Sequence, residues 1–256
     1  MDIDGLATSV PTAAPGGETT SYCIGRDRAL LVDPATTAID DLVADRDVAH
    51  IALTHHHSDH VGAVSHYADA CEATVWARAG RVEEFVAATG VEPDRTFREG
   101  TAIPTDQGPV TVVETPGHAP EHVAFAAADW LVSGDLAVAE GSVVVGAPEG
   151  DVRAYLTSLR RLHARDPARL YPGHGPVIED PRATCERLVR HRLRREEKVL
   201  AAVDEGASDL DAVLDSAYDK DLSGVRSLAR ATVRAHLEKL DYAGRLDWDG
   251  ERATPL

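Results

Sequence analysis

The chain has 256 residues, of which 43% are hydrophobic and 27% charged. That is enough length for a sizeable core, and the composition is that of a folded globular protein rather than a disordered or fibrous one. No run approaches 18 uninterrupted apolar residues, so a membrane-spanning helix is not expected.

Net charge is −17, and only three of the 26 basic residues are lysines (Lys198, Lys220, Lys239). An acidic, Arg-rich, Lys-poor surface suits a halophilic, high-salt cytoplasm, where screening leaves hydration to keep a protein dissolved. Acid in Met1-Asp2-Ile3-Asp4, where a signal peptide would carry Lys or Arg, agrees with a cytoplasmic location. Cys23, Cys71 and Cys185 are odd in number and far apart, which reads as free thiols acting as small hydrophobes.

In chain order, apolar runs at 21–24 and 29–32 around the polar turn 25–27 predict an early hairpin. A short helix at 38–44 precedes a buried strand at 49–53. Residues 60–70 read as a helix, 73–77 as a strand and 80–88 as a helix. Strands follow at 110–114, 122–127 and 130–133, the last two joined by a tight turn at Ala128-Asp129. A further strand is expected at 141–145. A helix spans 151–165, with Asp151 near its start where acid suits the dipole. A strand at 168–171 runs into Pro172-Gly173-His174-Gly175.

After Asp180-Pro181 the pattern changes to helices at 182–205, 210–218 and 222–240, then a hairpin turning at Asp249-Gly250. Three helices and a β-wing are the parts of a winged helix. The expected organisation is α+β, with a catalytic domain at 1–180 and a winged-helix-like domain at 181–256.

Thr54-His55-His56-His57-Ser58-Asp59-His60 concentrates four imidazoles and a carboxylate in seven residues. In the register His-x-His-x-Asp-His it offers His55, His57, Asp59 and His60, donors suited to zinc and its first-row neighbours. His56 is out of register and should point away. His118 in Pro116-Gly117-His118, Asp135 in Gly134-Asp135 and His174 in Pro172-Gly173-His174 each follow a predicted strand and adjoin glycine, which allows a tight turn. Each is weak alone; together the seven donors make a strong pattern.

This set, in this order, resembles the ligand pattern of the metallo-β-lactamase superfamily over roughly residues 10–180. The resemblance implies an αββα sandwich with a two-metal site on one edge. It implies His55, His57 and His118 for the first ion, Asp59, His60 and His174 for the second, and Asp135 bridging. The cofactor implied is two zinc ions, with iron or manganese as alternatives. Such a pair shares a water activated as a nucleophile, with Asp59 placed as the catalytic carboxylate that orients it and moves its proton. Asp33, in Leu31-Val32-Asp33-Pro34, matches an aspartate that supports the ligand loop by accepting from an imidazole; the plain alternative is a turn-forming Asp before Pro. His122 reads equally as a site-lining and a surface residue. His50, His66, His163 and His236 are expected on the surface or on helices.

The C-terminal part resembles β-lactamase-like proteins with a winged helix, some of which cleave single-stranded RNA. Residues 182–198 carry seven basic side chains against three acidic ones, so His191, Arg192 and Arg195 are the expected substrate contacts, gripping phosphate oxygens. Pairing of Arg192 with Glu196 on a solvated helix is the plain alternative. The leading expectation is a binuclear hydrolase cleaving single-stranded RNA. A thioester (hydroxyacylglutathione-like) or lactone hydrolase is the alternative, and a nucleic-acid-binding regulator with a vestigial metal site is the rival from another class. The partner is then a small-molecule or single-stranded RNA substrate with no membrane involved, and a homodimer is possible.

Overall fold

In the computed structural model, which describes residues 2–14, 16–218 and 221–256, chain contacts define two compact units. One comprises residues 1–115, 121–141 and 166–184; the other comprises 116–120, 142–165 and 185–256. The expected single cut near residue 180 therefore becomes a partition in which residues 116–120 and 142–165 associate with the C-terminal segment.

The first unit holds two sheets. The larger has six strands in sequential order, β1 (Ile3–Ser9), β2 (Glu18–Ile24), β3 (Ala29–Val32), β4 (Val48–Ala52), β5 (Thr74–Arg78) and β6 (Arg95–Phe97). β1 to β3 pair antiparallel, and β3 to β6 are parallel. The second sheet has β7 (Ala102–Thr105), β8 (Gly108–Glu114), β9 (Val123–Ala127), β10 (Trp130–Gly134) and β11 (Arg169–Pro172) in the order β11-β10-β9-β8-β7. Only β10 and β11 pair parallel in that sheet.

Parallel strands need crossovers, and α1 (Asp40–Val43), α2 (Ser58–Val61), α3 (Val64–Cys71) and α4 (Val82–Thr89) supply them on one face of the larger sheet. Strand alternation then sorts the core. Ala29 and Leu31 pack with Leu42, Val61, Tyr67 and Phe85 under the helices. Leu30 and Val32 face Ile103, Val112, Phe125 and Val132 between the sheets. All four residues of β3 are buried because both of its faces are covered. This is the sandwich with helical cover that the sequence leads one to expect.

The second unit contains α5 (Val152–Arg165) and most of α6 (Pro181–Asp204), then α7 (Leu210–Ala217), α8 (Arg226–Tyr242) and the hairpin β12 (Leu246–Trp248) and β13 (Ala253–Pro255). Asp151 Oδ1 accepts from the N–H groups of Arg153 and Ala154, and Asp209 Oδ1 from that of Ala212, capping α5 and α7. Val199, Val203, Val213, Leu214, Val233 and Leu237 form its separate core. Among the described residues no helix is long and apolar enough to cross a membrane.

Several expectations are corrected. The helix read across 60–70 is two helices, broken at Gly62, where a Cβ would lie 2.5 Å from the Ala35 carbonyl oxygen. β1, β6 and β7 carry too little apolar alternation to be read in advance; β1 is largely exposed. Residues 141–145 form no strand, because side chains take the carbonyls a ladder would use: Arg192 donates to Val143 O and His118 Nδ1 to Val144 O. His50 is buried on β4, accepting a hydrogen bond from Trp76 Nε1 at 3.4 Å.

Candidate metal centre

The candidate ligands of the first unit, and the Asp33 that supports them, sit where strands end. Asp33 follows β3, the histidine loop follows β4, Asp135 follows β10 and His174 follows β11. β3 and β4 run parallel, as do β10 and β11, so each pair delivers its loops to one edge. Two bonds join the sheets there. Thr20 N–H donates to Gly173 O at 2.8 Å, and Tyr22 Oη–H donates to Pro172 O at 2.7 Å.

Asp33 is the anchor. It is 1% exposed and adopts φ +52°, a left-handed conformation that Asp tolerates better than most residues. Its Oδ1 accepts from Thr54 N–H at 2.7 Å. Its Oδ2 accepts from Thr54 Oγ1–H at 2.7 Å and from His60 Nδ1–H at 3.0 Å. With its proton committed to Asp33, Thr54 Oγ1 is left to accept from His55 Nδ1–H at 3.0 Å. One carboxylate thus orients two imidazoles, one directly and one through Thr54. Sequence reasoning passed over Thr54, whose only signal was its place between strand and histidine loop.

A shared pattern follows. His55, His60 and His174 each spend Nδ1 on a protein acceptor, the last on Glu18 O at 2.8 Å. Each therefore presents Nε2 to a common space, the tautomer required of an imidazole ligand. His60 Nε2 lies 3.7 Å from Asp135 Oδ1, and His174 Nε2 lies 3.3 Å from Asp135 Oδ2 and 3.6 Å from Asp59 Oδ2. His55 Nε2 lies 3.0 Å from His57 Nδ1. Ligand atoms about 2.0–2.1 Å from a tetrahedral ion stand roughly 3.3–3.4 Å apart, so these separations suit a first-row cation.

The donor atoms of His55, His60 and Asp135 lie within 4.8 Å of one another, as do those of Asp59, His60 and His174. Asp135 presents Oδ1 to His60 and Oδ2 to His174, so its two oxygens face separate imidazoles. Among the described residues the buried His60 Nε2 has no hydrogen-bond partner, which is costly unless an ion takes its lone pair. Gly173 has no room for a side chain: a Cβ would lie 2.7 Å from His60 Cε1 and 2.8 Å from Asp135 Oδ1.

His122 is fully buried and serves the site from behind. Its Nε2 accepts from Asp135 N–H at 3.0 Å, so its Nδ1–H donates to Thr115 Oγ1 at 2.8 Å. Both nitrogens are committed, which makes it a support for Asp135 rather than a ligand. His56 turns away from the ligand space: its N–H donates to Glu121 Oε1 at 3.1 Å and its ring meets Phe85 edge-on at 5.5 Å.

In the second unit, His118 stands between Gly117 and Ala119 and donates from Nδ1 to Val144 O at 2.6 Å, the same tautomer again. Gly117 has φ +138°, and a Cβ there would lie 2.3 Å from Tyr155 backbone atoms. Of the expected substrate contacts, Arg192 is not on a surface at all. It is 2% exposed and donates to Val143 O, its guanidinium 5.3 Å from the Tyr155 ring. Arg195 stacks at 3.6 Å on Tyr218, and His191 Nε2 lies 3.3 Å from Ser142 Oγ. Burial, with the cations of Arg192 and Arg195 beside it, pushes the His191 imidazole down to about 4.

Burial alone would pull the His60 imidazolium down, but Asp33, Asp135 and Asp59 outweigh it and raise the group to about 9. His174 shows the same contest, burial against Asp135, and also ends raised. The metal-free site thus holds a proton at His60 up to about pH 9, and an incoming ion must displace it. Ion affinity is expected to rise about tenfold per pH unit for that proton between pH 6.5 and 9. In the ion-free protein the His60 contribution to stability is full below about 6.5 and is lost as pH rises through about 9. Chelator competition at pH 6.5, 7.5 and 9 reads the first effect, and a flat profile would contradict it.

This fold and donor set match a known protein class. The model of the metallo-beta-lactamase superfamily matches residues 14–174, and the chain belongs to that superfamily of metal-dependent hydrolases. Over 256 aligned residues, covering 92% of this chain and 86% of its relative, it is 29% identical to the "Beta-lactamase-like protein 2 homolog" of Drosophila melanogaster. It is 27% identical over 208 residues to the "Atrochrysone carboxyl ACP thioesterase AgnL7" of Paecilomyces divaricatus, covering 75% of this chain and 61% of that one. Among solved structures, the metallo-beta-lactamase family protein TTHA1429 of Thermus thermophilus superposes with a TM-score of 0.82 at 24% identity, covering 99% and 98% of the two chains. That likeness speaks for the fold.

Proposed function

We propose a hydrolase that holds two divalent cations: Asp59, His60 and His174 would hold one, and the order of donors in the sequence assigns His55, His57 and His118 to the other, with Asp135 shared. The observation that carries this is the common tautomer: four imidazoles tie Nδ1 to protein acceptors and keep Nε2 for the site. Zinc fits the donor set, as do iron and manganese. When bound, the ions would supply an activated water at neutral pH and positive charge for the anion developing on the scissile group.

The chain's own residues do the rest. Asp33 and Thr54 fix His55 and His60, and His122 fixes Asp135, so the donors need no rearrangement on loading. Asp59 is partly exposed beside His174, and its carboxylate accepts the proton of the attacking water and returns it to the leaving group. The bond we favour is a thioester. Support comes from the thioesterase relative and from Arg192, whose burial withdraws one cation from the surface that RNA would touch.

A second reading, cleavage of single-stranded RNA, is favoured by the exposed Arg182, Arg190, Arg194 and Lys198 on α6; a winged-helix-like role for α6 to α8 and their hairpin belongs to it. A panel of S-lactoylglutathione, an acyl lactone and labelled single-stranded RNA in molar salt separates the readings. Thioester turnover falling at least 100-fold in Asp59→Ala, with turnover still lost when excess cation restores ion content, is the expected outcome. RNA cleavage with inert thioester would replace the first reading by the second.

A further inference from the structure

Residues 142–147 make no ladder, yet their backbone is held from three sides within the second unit. Ala147 N–H donates to Ala231 O at 3.0 Å, and Gly146 packs so closely on α8 that a Cβ would lie 2.8 Å from Ala231 Cβ. Ser142 Oγ lies 3.3 Å from His191 Nε2. Between these, the Arg192 guanidinium donates to Val143 O, and the next carbonyl, Val144 O, takes the Nδ1–H of His118 at 2.6 Å.

Arg192 is an unusual residue to spend on this. A buried guanidinium stays charged, and among the described residues its Nε has no hydrogen-bond partner. A neutral side chain would fill the space at lower desolvation cost. What the cation adds is a charge-assisted hydrogen bond, stronger than a neutral one, that fixes one peptide plane. The peptide plane of Val143 O and that of Val144 O meet at Val144 Cα, so once the first is fixed only φ and ψ of Val144 set where Val144 O points.

From this juxtaposition we infer that Arg192 is a positioning residue for His118: it locks the Val143–Val144 backbone so that Val144 O holds His118 as the Nδ1–H tautomer, with the lone pair on Nε2. The inference rests on the two-ion reading above. It gives the C-terminal helix α6 a defined part in assembling the ion held by His118.

The test is competitive chelator titration with zinc, resolving two dissociation constants, on the wild type, Arg192→Gln, Arg192→Lys and the exposed control Arg194→Gln. Arg192→Gln is expected to weaken one constant about tenfold or more, the low end of what loss of such outer support costs, and to leave the other within twofold. Arg192→Lys should fall between, since a single ammonium cannot reproduce the planar fork, and Arg194→Gln should match the wild type. If Arg192→Gln does not fold by circular dichroism, Arg192→Lys decides in the same titration.

Two unchanged constants in a folded Arg192 variant overturn the inference, and so does equal weakening of both, which is general destabilisation. A wild type that binds fewer than two ions overturns the two-ion reading instead. The inference is then read from long-range ¹H–¹⁵N spectra of the metal-free protein, with His118 assigned through His118→Gln. An Nδ1–H signal in the wild type that gives way to mixed tautomers in Arg192→Lys supports it. An Nε2–H tautomer in the wild type refutes it.

Discussion

Replacing Asp33 with Ala is expected to lower stability by about 3–5 kcal/mol, the cost of removing one partner of a buried ion pair. Its carboxylate accepts from Thr54 N–H, Thr54 Oγ1–H and His60 Nδ1–H, and none of these donors can reach water once it is gone. For a chain of this length the loss corresponds to a fall in Tm of about 10 °C. Asp33→Asn separates the roles. Its amide can still accept from Thr54 N–H, but presents a donor to His60 in place of an acceptor. Asp33→Asn should therefore keep most of the stability yet bind ions at least tenfold more weakly. Thermal unfolding followed by circular dichroism, beside chelator competition, reads both quantities. Equal stability of Asp33→Ala and the wild type would remove Asp33 from the centre of the site.

Gly173→Ala is the smallest change expected to close the site. The added methyl would need the space of His60 Cε1 and Asp135 Oδ1, 2.7 and 2.8 Å away. The backbone cannot retreat easily, because Gly173 N–H donates to Gly134 O at 3.0 Å and Gly173 O accepts from Thr20 N–H. His60 or Asp135 must therefore move, and both face the ion space. On the proposed two-ion reading, zinc content measured by mass spectrometry is expected to fall from two ions to at most one per chain in a folded variant. Two ions bound at wild-type affinity would show that the loop gives way and that the close fit has no consequence for loading.

Much of this molecule was legible before any coordinates. The histidine loop, and the later His and Asp donors beside glycines, carry their chemistry in residue type and order, which require no knowledge of packing. The long helices and buried strands were legible for a related reason: Val152–Arg165 buries residues with the period its backbone imposes, and Ala29–Val32 is a continuous apolar run because both its faces are covered. The exposed edge strand β1 and the short β6 and β7 lack that pattern, since hydrogen bonding to a neighbour rather than burial of a face defines them.

Sequence alone determined the ligand chemistry, because donor atoms are properties of side chains. Tertiary structure decided which nitrogen of these imidazoles carries the proton, because a tautomer follows from the acceptor opposite Nδ1, and beside the neighbouring Thr54 those acceptors are Asp33, Glu18 and Val144 on distant stretches of chain. It also decided that Arg192 turns inward. A basic run on a helix fixes charge but not which side of the helix is covered, and burial is settled only when the other elements of its unit pack against it.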